Sequence, residues 1–390
     1  MARYRLTPWW VKVLVIFVAS RVVTTALMMG FAVIQPQTAW ALPSPGYFAF
    51  ANFWDANWYY TIAATGYPSE LPVTADGHIG ENAWAFMPGY PVVVALLSWL
   101  TGATFQVTGV WVSTLFALGA ALMFYRVLLT QLPSSTALFS VVLFCFAPLS
   151  PILQVSYAES MHLFFLTCAL YLLVQRRYVA LLPVIAVMAL TRPSGLAFAL
   201  ALGLHVIYRW VVRERDPFPV PERVASVIAA VFSGIMGLAW LLIAWGVTGS
   251  LTAYTDTELA WRAPYVGYGE LIPFTAWVQG ANWWIGSPLG PVLLVIAVAL
   301  FAMFMFSPWV KRLGVDLRFW AASYVLYLLA VFFPQSSTFR LLVPVFPLLG
   351  ALALPRSVFY RVGLVALFVL GQWGWIHIAW WVDGYDWTPP

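Results

Sequence analysis

Long runs of apolar residues follow one another along the chain, and polar residues gather in the breaks between them. A helix that crosses a bilayer needs about 20 apolar residues, and only helices and closed barrels satisfy their backbone hydrogen bonds in hydrocarbon. Because the runs are long and do not alternate with polar residues, they predict helices rather than a barrel. About eleven crossings are expected, at 10–34, 106–129, 135–153, 158–175, 178–192, 194–212, 224–247, 285–307, 318–334, 341–354 and 358–381.

Two longer polar stretches separate these runs. The first, 35–104, contains the apolar run 89–102, which is short for a crossing and is predicted to dip into the membrane or lie on its surface. The second covers 248–284. No soluble domain, repeat or low-complexity tract is evident, so 1–390 is predicted to be one all-α polytopic membrane domain.

Composition supports this interpretation, since 63% of the 390 residues are apolar and only 8% are charged. Globular domains are roughly 25% charged, so this chain cannot cover a surface that faces water. The net charge of +5 therefore does not indicate nucleic-acid binding, and no Walker A or Gly-rich nucleotide loop is present. Cys145 and Cys168 lie in apolar runs and are interpreted as core residues. No Asn-x-Ser/Thr sequon occurs, which favours a bacterial source.

The distribution of basic residues predicts the orientation. With a cytoplasmic N-terminus, fifteen of the nineteen Lys and Arg residues fall at cytoplasmic helix ends, as the positive-inside rule requires. These are Arg3, Arg5, Lys12, Arg126, Arg176, Arg177, Arg209, Arg213, Arg215, Arg223, Lys311, Arg312, Arg318, Arg356 and Arg361. An odd number of crossings then leaves the C-terminus outside the cytoplasm.

The acidic residues show the opposite bias. Ten of the fourteen fall on the extracytoplasmic side: Asp55, Glu70, Asp76, Glu81, Glu159, Asp256, Glu258, Glu270, Asp383 and Asp386. We therefore expect any chemistry on that side of the membrane. The bacterial cytoplasmic membrane is the expected location, or the endoplasmic reticulum membrane in a eukaryote.

The first carboxylate of the chain, Asp55, lies in an aromatic stretch just after the first apolar run. Trp54, Trp58 and Ile62 recur at four-residue spacing, which predicts a short helix with an aromatic stripe beside Asp55 and Tyr59. A carboxylate held against a dry aromatic wall suits a general base. The alternative is an interfacial helix whose Asp55 only caps the first turn.

Other candidate residues of the external side surround polar breaks. The first loop carries His78, Glu81 and a Pro-rich aromatic run that contains Tyr90. Prolines there break the helix and either return the chain to the membrane or only shape the loop. Tyr157 and Glu159 stand at a membrane boundary, where an acid is costly unless it is paired or functional. Glu159 and His162 share a helix face and could hold a metal, although a simple hydrogen bond is the more ordinary arrangement.

Two arginines stand beside helix breaks on the same side. Arg192 precedes Pro193, and Arg340 follows a polar stretch that includes Ser336. Together they suggest a clamp for a phosphate, or else each pairs with a carboxylate such as Glu159. Arg21 lies inside the first apolar run, where an arginine faces the bundle interior and pairs an acid or holds a lipid phosphate.

Several of these motifs, in this order, resemble the PIG-V-type mannosyltransferases. The resemblance covers roughly residues 50–205 and extends weakly to the C-terminal half. It depends on Trp54-Asp55, Tyr59, Ile62-Ala63, Gly66-Tyr67, Ala85-Phe86, Pro88-Gly89-Tyr90-Pro91, Ser156-Tyr157-Ala158-Glu159-Ser160, Arg192-Pro193-Ser194-Gly195, Arg340-Leu341-Leu342-Val343-Pro344 and Phe346-Pro347. The chain departs from the family at Met87, where a second Phe is common, and at Pro193-Ser194, where Ser-Asn is common.

The resemblance implies a glycosyltransferase of the GT-C class. Such enzymes move mannose from a polyprenyl-phosphate carrier to a hydroxyl of a glycolipid or glycan outside the cytoplasm. Asp55 would be the general base of an inverting reaction, and Arg192 and Arg340 would stabilise the departing phosphate. The remaining substrate-binding candidates are Glu159, Tyr157, Trp54, Tyr59, Tyr90, His78, Glu81 and Ser336. No carboxylate cluster indicates a metal or other cofactor, and the need for a divalent cation is left open.

Two other classes of protein share these features. A transporter or flippase for lipids or lipid-linked sugars would show similar crossings, broken helices and an interior arginine. Against it, the acids gather outside rather than at the membrane midplane. A purely structural membrane protein would not need Arg192 and Arg340 beside helix breaks.

Overall fold

The computed structural model of the protein describes residues 7–38 and 41–383. The charge assignments of Arg3, Arg5 and Asp386 therefore lie outside the described residues. Within the described ranges the chain forms helices α1 to α18 and no named strand. They are α1 Trp9–Ile34, α2 Tyr47–Phe50, α3 Asp55–Thr65, α4 Gly89–Thr101, α5 Phe105–Leu129, α6 Ser134–Phe146, α7 Glu159–Val174, α8 Tyr178–Ala189, α9 Gly195–Val211, α10 Val220–Thr248, α11 Ala253–Val266, α12 Thr275–Ile285, α13 Leu289–Met305, α14 Pro308–Lys311, α15 Val315–Val331, α16 Thr338–Leu341, α17 Leu349–Leu352 and α18 Val358–Trp375.

Shorter helical turns complete the backbone. There are 3₁₀ turns at Ala83–Ala85, Ser150–Gln154 and Val343–Leu348, and a π turn at Ile376–Trp380 continues α18. The predicted all-helical class is thus confirmed. The first polar stretch contains α2, α3 and α4, as its predicted interfacial helices require, and the second contains α11 and most of α12.

Among the residues that the structure describes, four helices are long and apolar enough to cross a bilayer: α1, α5, α10 and α18 extended to Trp380. Their mean hydropathy lies between 1.6 and 2.4. Several shorter apolar helices of 10–17 residues accompany them, among them α4, α6, α7, α8, α9 and α13. The chain therefore has the character of an integral membrane protein.

Proline and glycine set many of the helix ends. The first long helix stops at Ile34 because the next residue precedes Pro36 and takes an extended conformation. Gly102 closes α4 with a left-handed φ of 72°, and its N–H donates to the carbonyl of Ser98. Helix α10 starts after Pro219 and carries Glu222 in its first turn, where a negative charge suits the helix dipole.

Two of the expected crossings are broken. The run 135–153 divides into α6 and the 3₁₀ turn Ser150–Gln154, since Pro148 and Pro151 interrupt the helical hydrogen bonds. The run 341–354 is a 3₁₀ turn followed by α17, because Pro344 and Pro347 cannot donate a backbone N–H. Both regions are apolar as expected, but neither is one continuous helix.

Close helix contacts hold the frame of the site. Helix α5 packs on α7, and α9 packs on α10 and α15. At the α9–α10 crossing, a Cβ on Gly195 would lie 2.6 Å from the Cα of Gly237, so the two backbones meet only because both residues lack side chains. This contact fixes the start of α9 directly beside Arg192.

Candidate functional site

A cavity of about 780 Å³ lies where the ends of several helices meet. It is bounded by the start of α3, the start of α7, the connection between α8 and α9, the C-terminal half of α10, α11, and the segment that includes α16. Elements from both halves of the sequence therefore share one site. Its walls combine aromatic side chains with seven charged residues, namely Asp55, Glu81, Glu159, Arg192, Glu258, Arg262 and Arg340.

Asp55 is the first residue of α3 and points its carboxylate across the cavity rather than along its own helix. The preceding residue, Trp54, takes a left-handed backbone conformation with φ 57° and ψ −121°. A bulky residue rarely adopts this conformation, which costs about 1–3 kcal/mol and is typical of functional sites. The side chain of Asp55 makes no helix cap and is bound instead by Nη1 of Arg340. The capping alternative is therefore wrong.

Arg340 connects two carboxylates. In addition to Asp55, its Nε lies 3.4 Å from Oε1 of Glu159. Its side chain is only 8% exposed, and its guanidinium also lies over the ring of Tyr157, 5.3 Å from the ring centroid. Burial alone would lower the pKa of Arg340, but the nearby carboxylates of Asp55 and Glu159 raise it, so the group stays charged.

Arg192 forms the second half of the network. Its Nη2 binds Oε1 of Glu159, so the pairing expected as an alternative to a phosphate clamp is confirmed. The loop is held in place because His162 Nε2 and Ser194 Oγ lie 2.9 Å apart and share a hydrogen bond. His162 thus bonds to the loop and not to Glu159. Within the described part of the chain, Oε2 of Glu159 has no hydrogen-bond partner.

The aromatic candidates Tyr157, Tyr59 and Tyr90 lie beneath the site and are fully or almost fully buried. The hydroxyl of Tyr157 accepts the backbone N–H of Asp55 at 3.1 Å, so this residue supports both Asp55 and Arg340. Tyr59 packs edge-on against Tyr90, with ring centroids 5.1 Å apart. The hydroxyl of Tyr90 donates to the carbonyl of Gly109 at 2.9 Å. These three side chains pack behind the charged residues and support them, and they do not line the cavity.

The remaining candidates divide between the cavity and the loops. Trp54, Glu81 and Ser336 line the cavity, and Ser336 hydrogen-bonds Tyr265. His78 lies outside the cavity and stacks on Tyr268 with ring centroids 4.0 Å apart. It therefore joins the first polar stretch to the second instead of contacting the charged network.

Arg21 has a structural role. Its guanidinium donates to the carbonyls of Ser150 and Cys145 at 2.9 and 2.8 Å, and to the side-chain oxygen of Gln154 at 3.0 Å. These acceptors are all neutral, so the predicted pairing of Arg21 with an acid is not found. Its bonds instead hold the broken segment after α6 against α1. Elsewhere in 7–38 and 41–383, no three His, Cys, Asp or Glu residues form a group able to hold a metal ion.

Sequence reasoning did not single out the groups that α11 contributes. Glu258 and Tyr254 line the cavity from this helix, together with Trp261 and Arg262. The guanidinium of Arg262 donates to the carbonyl of Glu270 at 3.0 Å. The four-residue spacing of Tyr254 and Glu258 places them on one helix face, which was the available signal.

A second, apolar groove adjoins the cavity. It has a volume of about 1000 Å³, and Gln335, Ser336 and Val343 line both spaces. Three large apolar side chains on its walls remain well exposed: Phe339 at 65%, Ile378 at 64% and Trp284 at 49%. A groove with such walls, in a protein of this composition, suits a hydrocarbon chain. The charged cavity and the apolar groove together suit a molecule with a polar head and a long lipid tail.

No model of a known protein family matches the chain, and no characterised protein matches it either.

Proposed function

We propose that the protein is a membrane glycosyltransferase that moves mannose from polyprenyl-phosphate-mannose to a hydroxyl of a glycolipid or glycan. The observation that carries this proposal is the buried network of Asp55, Arg340, Glu159 and Arg192 beside an apolar groove. The groove would take the polyprenyl chain, and the cavity would take the sugar phosphate and the acceptor. The family resemblance supports the same reaction.

The proposal places the active site outside the cytoplasm, in a bundle of about eleven crossings with a cytoplasmic N-terminus. The basic residues at the opposite helix ends support this orientation. The bacterial cytoplasmic membrane is the proposed location, since such a donor and acceptor both reside in a bilayer.

In the mechanism, Asp55 accepts the proton of the acceptor hydroxyl while that oxygen attacks the anomeric carbon from the face opposite the phosphate. The carbon–oxygen bond to the phosphate breaks with inversion, and the electron pair stays on the phosphate oxygen. Arg192 and Arg340 stabilise the negative charge that develops there. A guanidinium binds two oxygens at once, which suits both a carboxylate and a phosphate.

The pairing of Asp55 with Arg340 fits this sequence of events. In the structure, Nη1 of Arg340 binds the carboxylate of Asp55. A phosphate that binds Arg340 competes with Asp55 and leaves its carboxylate available to a hydroxyl. Donor binding would therefore prepare the base, which predicts that the donor binds before the acceptor.

The test of function uses full-length protein in liposomes with radiolabelled polyprenyl-phosphate-mannose and a crude glycolipid extract. A labelled glycolipid supports the proposal. Asp55→Asn should lower transfer by about 10²- to 10⁴-fold, because a positioned base contributes that much. The variant should remain folded, because Arg340 keeps Glu159 as a partner.

Asp76→Asn is the matched control, since Asp76 is an exposed acid of the same polar stretch. It should transfer at the wild-type rate. Full activity in Asp55→Asn would refute the assignment of the base. Movement of the labelled lipid across the bilayer without a new glycosidic bond would instead favour a flippase.

A further inference from the structure

A third carboxyl group faces the cavity and differs from the other two. Glu258 lies on α11, is half-buried and lines the same space as Asp55. Asp55 and Glu159 are each bound by an arginine, whereas Glu258 forms no ion pair within the described ranges. Its hydrogen bond comes from the hydroxyl of Tyr254, one helical turn earlier.

The surroundings of Glu258 favour a protonated carboxyl. Burial raises its pKa to about 7, although the Tyr254 hydroxyl and the charges of Arg192 and Arg262 act in the opposite direction. Tyr327, on α15, is the other titratable group that faces it. Near neutral pH, Glu258 therefore holds a proton for about half of the time.

Arg192 connects the two kinds of carboxyl. It stands within electrostatic range of Asp55 and Glu159 and also of Glu258. In the proposed function this arginine binds the phosphate of the donor. A phosphate at Arg192 would thus have close to it both an arginine-paired carboxylate and a carboxyl that holds a proton near neutral pH, an arrangement that separates the roles of base and acid.

We propose that Glu258 is the general acid of the transfer and donates its proton to the phosphate oxygen that leaves the anomeric carbon. This inference rests on the proposed function. The bond between the anomeric carbon and the phosphate oxygen breaks, and that oxygen takes the proton of Glu258. Asp55 takes the proton of the acceptor hydroxyl, and exchange with water then returns both carboxyls to their starting states.

The proton affinities match this role. A phosphate monoester takes up its last proton with a pKa of about 6. An acid that titrates near neutral pH can therefore share a proton with the departing phosphate at little cost. Asp55 is unsuited to the same task, because its carboxylate is bound by Arg340 and, in the mechanism, takes the proton of the acceptor hydroxyl.

The experiment measures the pH dependence of kcat for full-length protein in liposomes, between pH 5.5 and 9. The probes are polyprenyl-phosphate-mannose and the glycolipid fraction that the wild-type chain labels. Wild-type kcat should fall about tenfold per pH unit above a midpoint near 7. Glu258→Gln keeps the shape of the side chain but has no proton to release. It should lower kcat by about 10²-fold at pH 6.5 and abolish the decline at high pH.

Glu270→Gln is the control on the same polar stretch, because Glu270 is exposed. It should keep the wild-type profile. A wild-type profile without a decline near pH 7 overturns the inference whatever the variant does. A decline on the acidic side that Glu258→Gln removes would make Glu258 a base and would also overturn it. An unchanged profile in Glu258→Gln overturns this inference alone, whereas a wild-type chain without transfer overturns the proposed function.

Discussion

Replacing Arg340 by methionine tests the charged network most directly, since methionine has a similar length and no charge. The variant leaves Asp55 and Glu159, which are 13% and 7% exposed, without this cation. For the 3.4 Å separation of Arg340 Nε and Glu159 Oε1, Coulomb attraction is about 5 kcal/mol at an effective dielectric constant near 20. Breaking one partner of a buried pair costs about 3–5 kcal/mol. The cavity admits water, so we expect a loss of about 3 kcal/mol in the free energy of unfolding.

A double-mutant cycle then isolates the pair. Asp55→Asn alone should cost about 1–2 kcal/mol, because Arg340 still binds Glu159. In the Arg340→Met background the same change removes an uncompensated charge and should cost nothing or restore stability. The coupling free energy between the two residues should be at least about 1–2 kcal/mol.

The assay is reversible unfolding in mixed dodecyl maltoside and sodium dodecyl sulfate micelles, followed by tryptophan fluorescence. Asp76→Asn combined with Arg340→Met serves as the control pair, and its effects should add, since Asp76 is exposed and outside the network. If Asp55→Asn and Arg340→Met also add to within about 0.5 kcal/mol, the two side chains are not paired and the description of the site is wrong.

Two further predictions concern stability. Gly195→Ala should destabilise the protein by about 1–3 kcal/mol, because its Cβ would lie 2.6 Å from the Cα of Gly237. Gly203→Ala on the same helix is the control: its Cβ meets nothing within 4 Å, so it should be neutral or stabilising. Equal effects of the two substitutions on the free energy of unfolding would contradict the close crossing. Stability should fall as pH rises from about 4.5 to about 7, because folded Glu258 keeps a proton over that window that the unfolded chain has lost. Thermal unfolding at a series of pH values should show this slope in the wild type and a weaker slope in Glu258→Gln; identical slopes would mean that Glu258 titrates normally.

Much of the helical framework can be predicted from the sequence because apolar runs of this length have few alternatives in a membrane. The run 178–192, for example, corresponds to α8, and 194–212 corresponds to α9. The failures fall at prolines. In the run 341–354, apolar composition predicted a helix, but Pro344 and Pro347 remove two backbone donors and leave short turns.

The members of the charged network could be recognised because charges are rare in this chain. Asp55, Glu159, Arg192 and Arg340 each stand out against apolar surroundings, and these are the residues that the fold brings together. Their pairing could not be derived, since Asp55 and Arg340 are 285 positions apart and no local pattern specifies which charges meet. Glu258 was counted among the extracytoplasmic acids but was not chosen as a site residue, because a carboxylate in a polar stretch does not stand out.

The tyrosines show a different limit. Tyr59 and Tyr90 belong to motifs that suggested contact with substrate, yet both are buried beneath the cavity. The sequence identifies an aromatic residue near the site, but it does not distinguish a side chain that lines the cavity from one that is buried behind the lining. That distinction depends on packing between α3, α4 and α5, which no single segment encodes.

The apolar groove beside Ser336 has a practical consequence for handling this protein. Detergents carry alkyl tails that resemble the polyprenyl chain proposed to bind in this groove. These tails can enter it, because Phe339 and Ile378 on its walls are exposed. In a sample purified in micelles, the detergent would then compete with the lipid substrate for the groove and inhibit the protein. Apparent affinities for a lipid substrate should therefore be measured in lipid nanodiscs, where the substrate reaches the groove by lateral diffusion in a bilayer that contains no detergent.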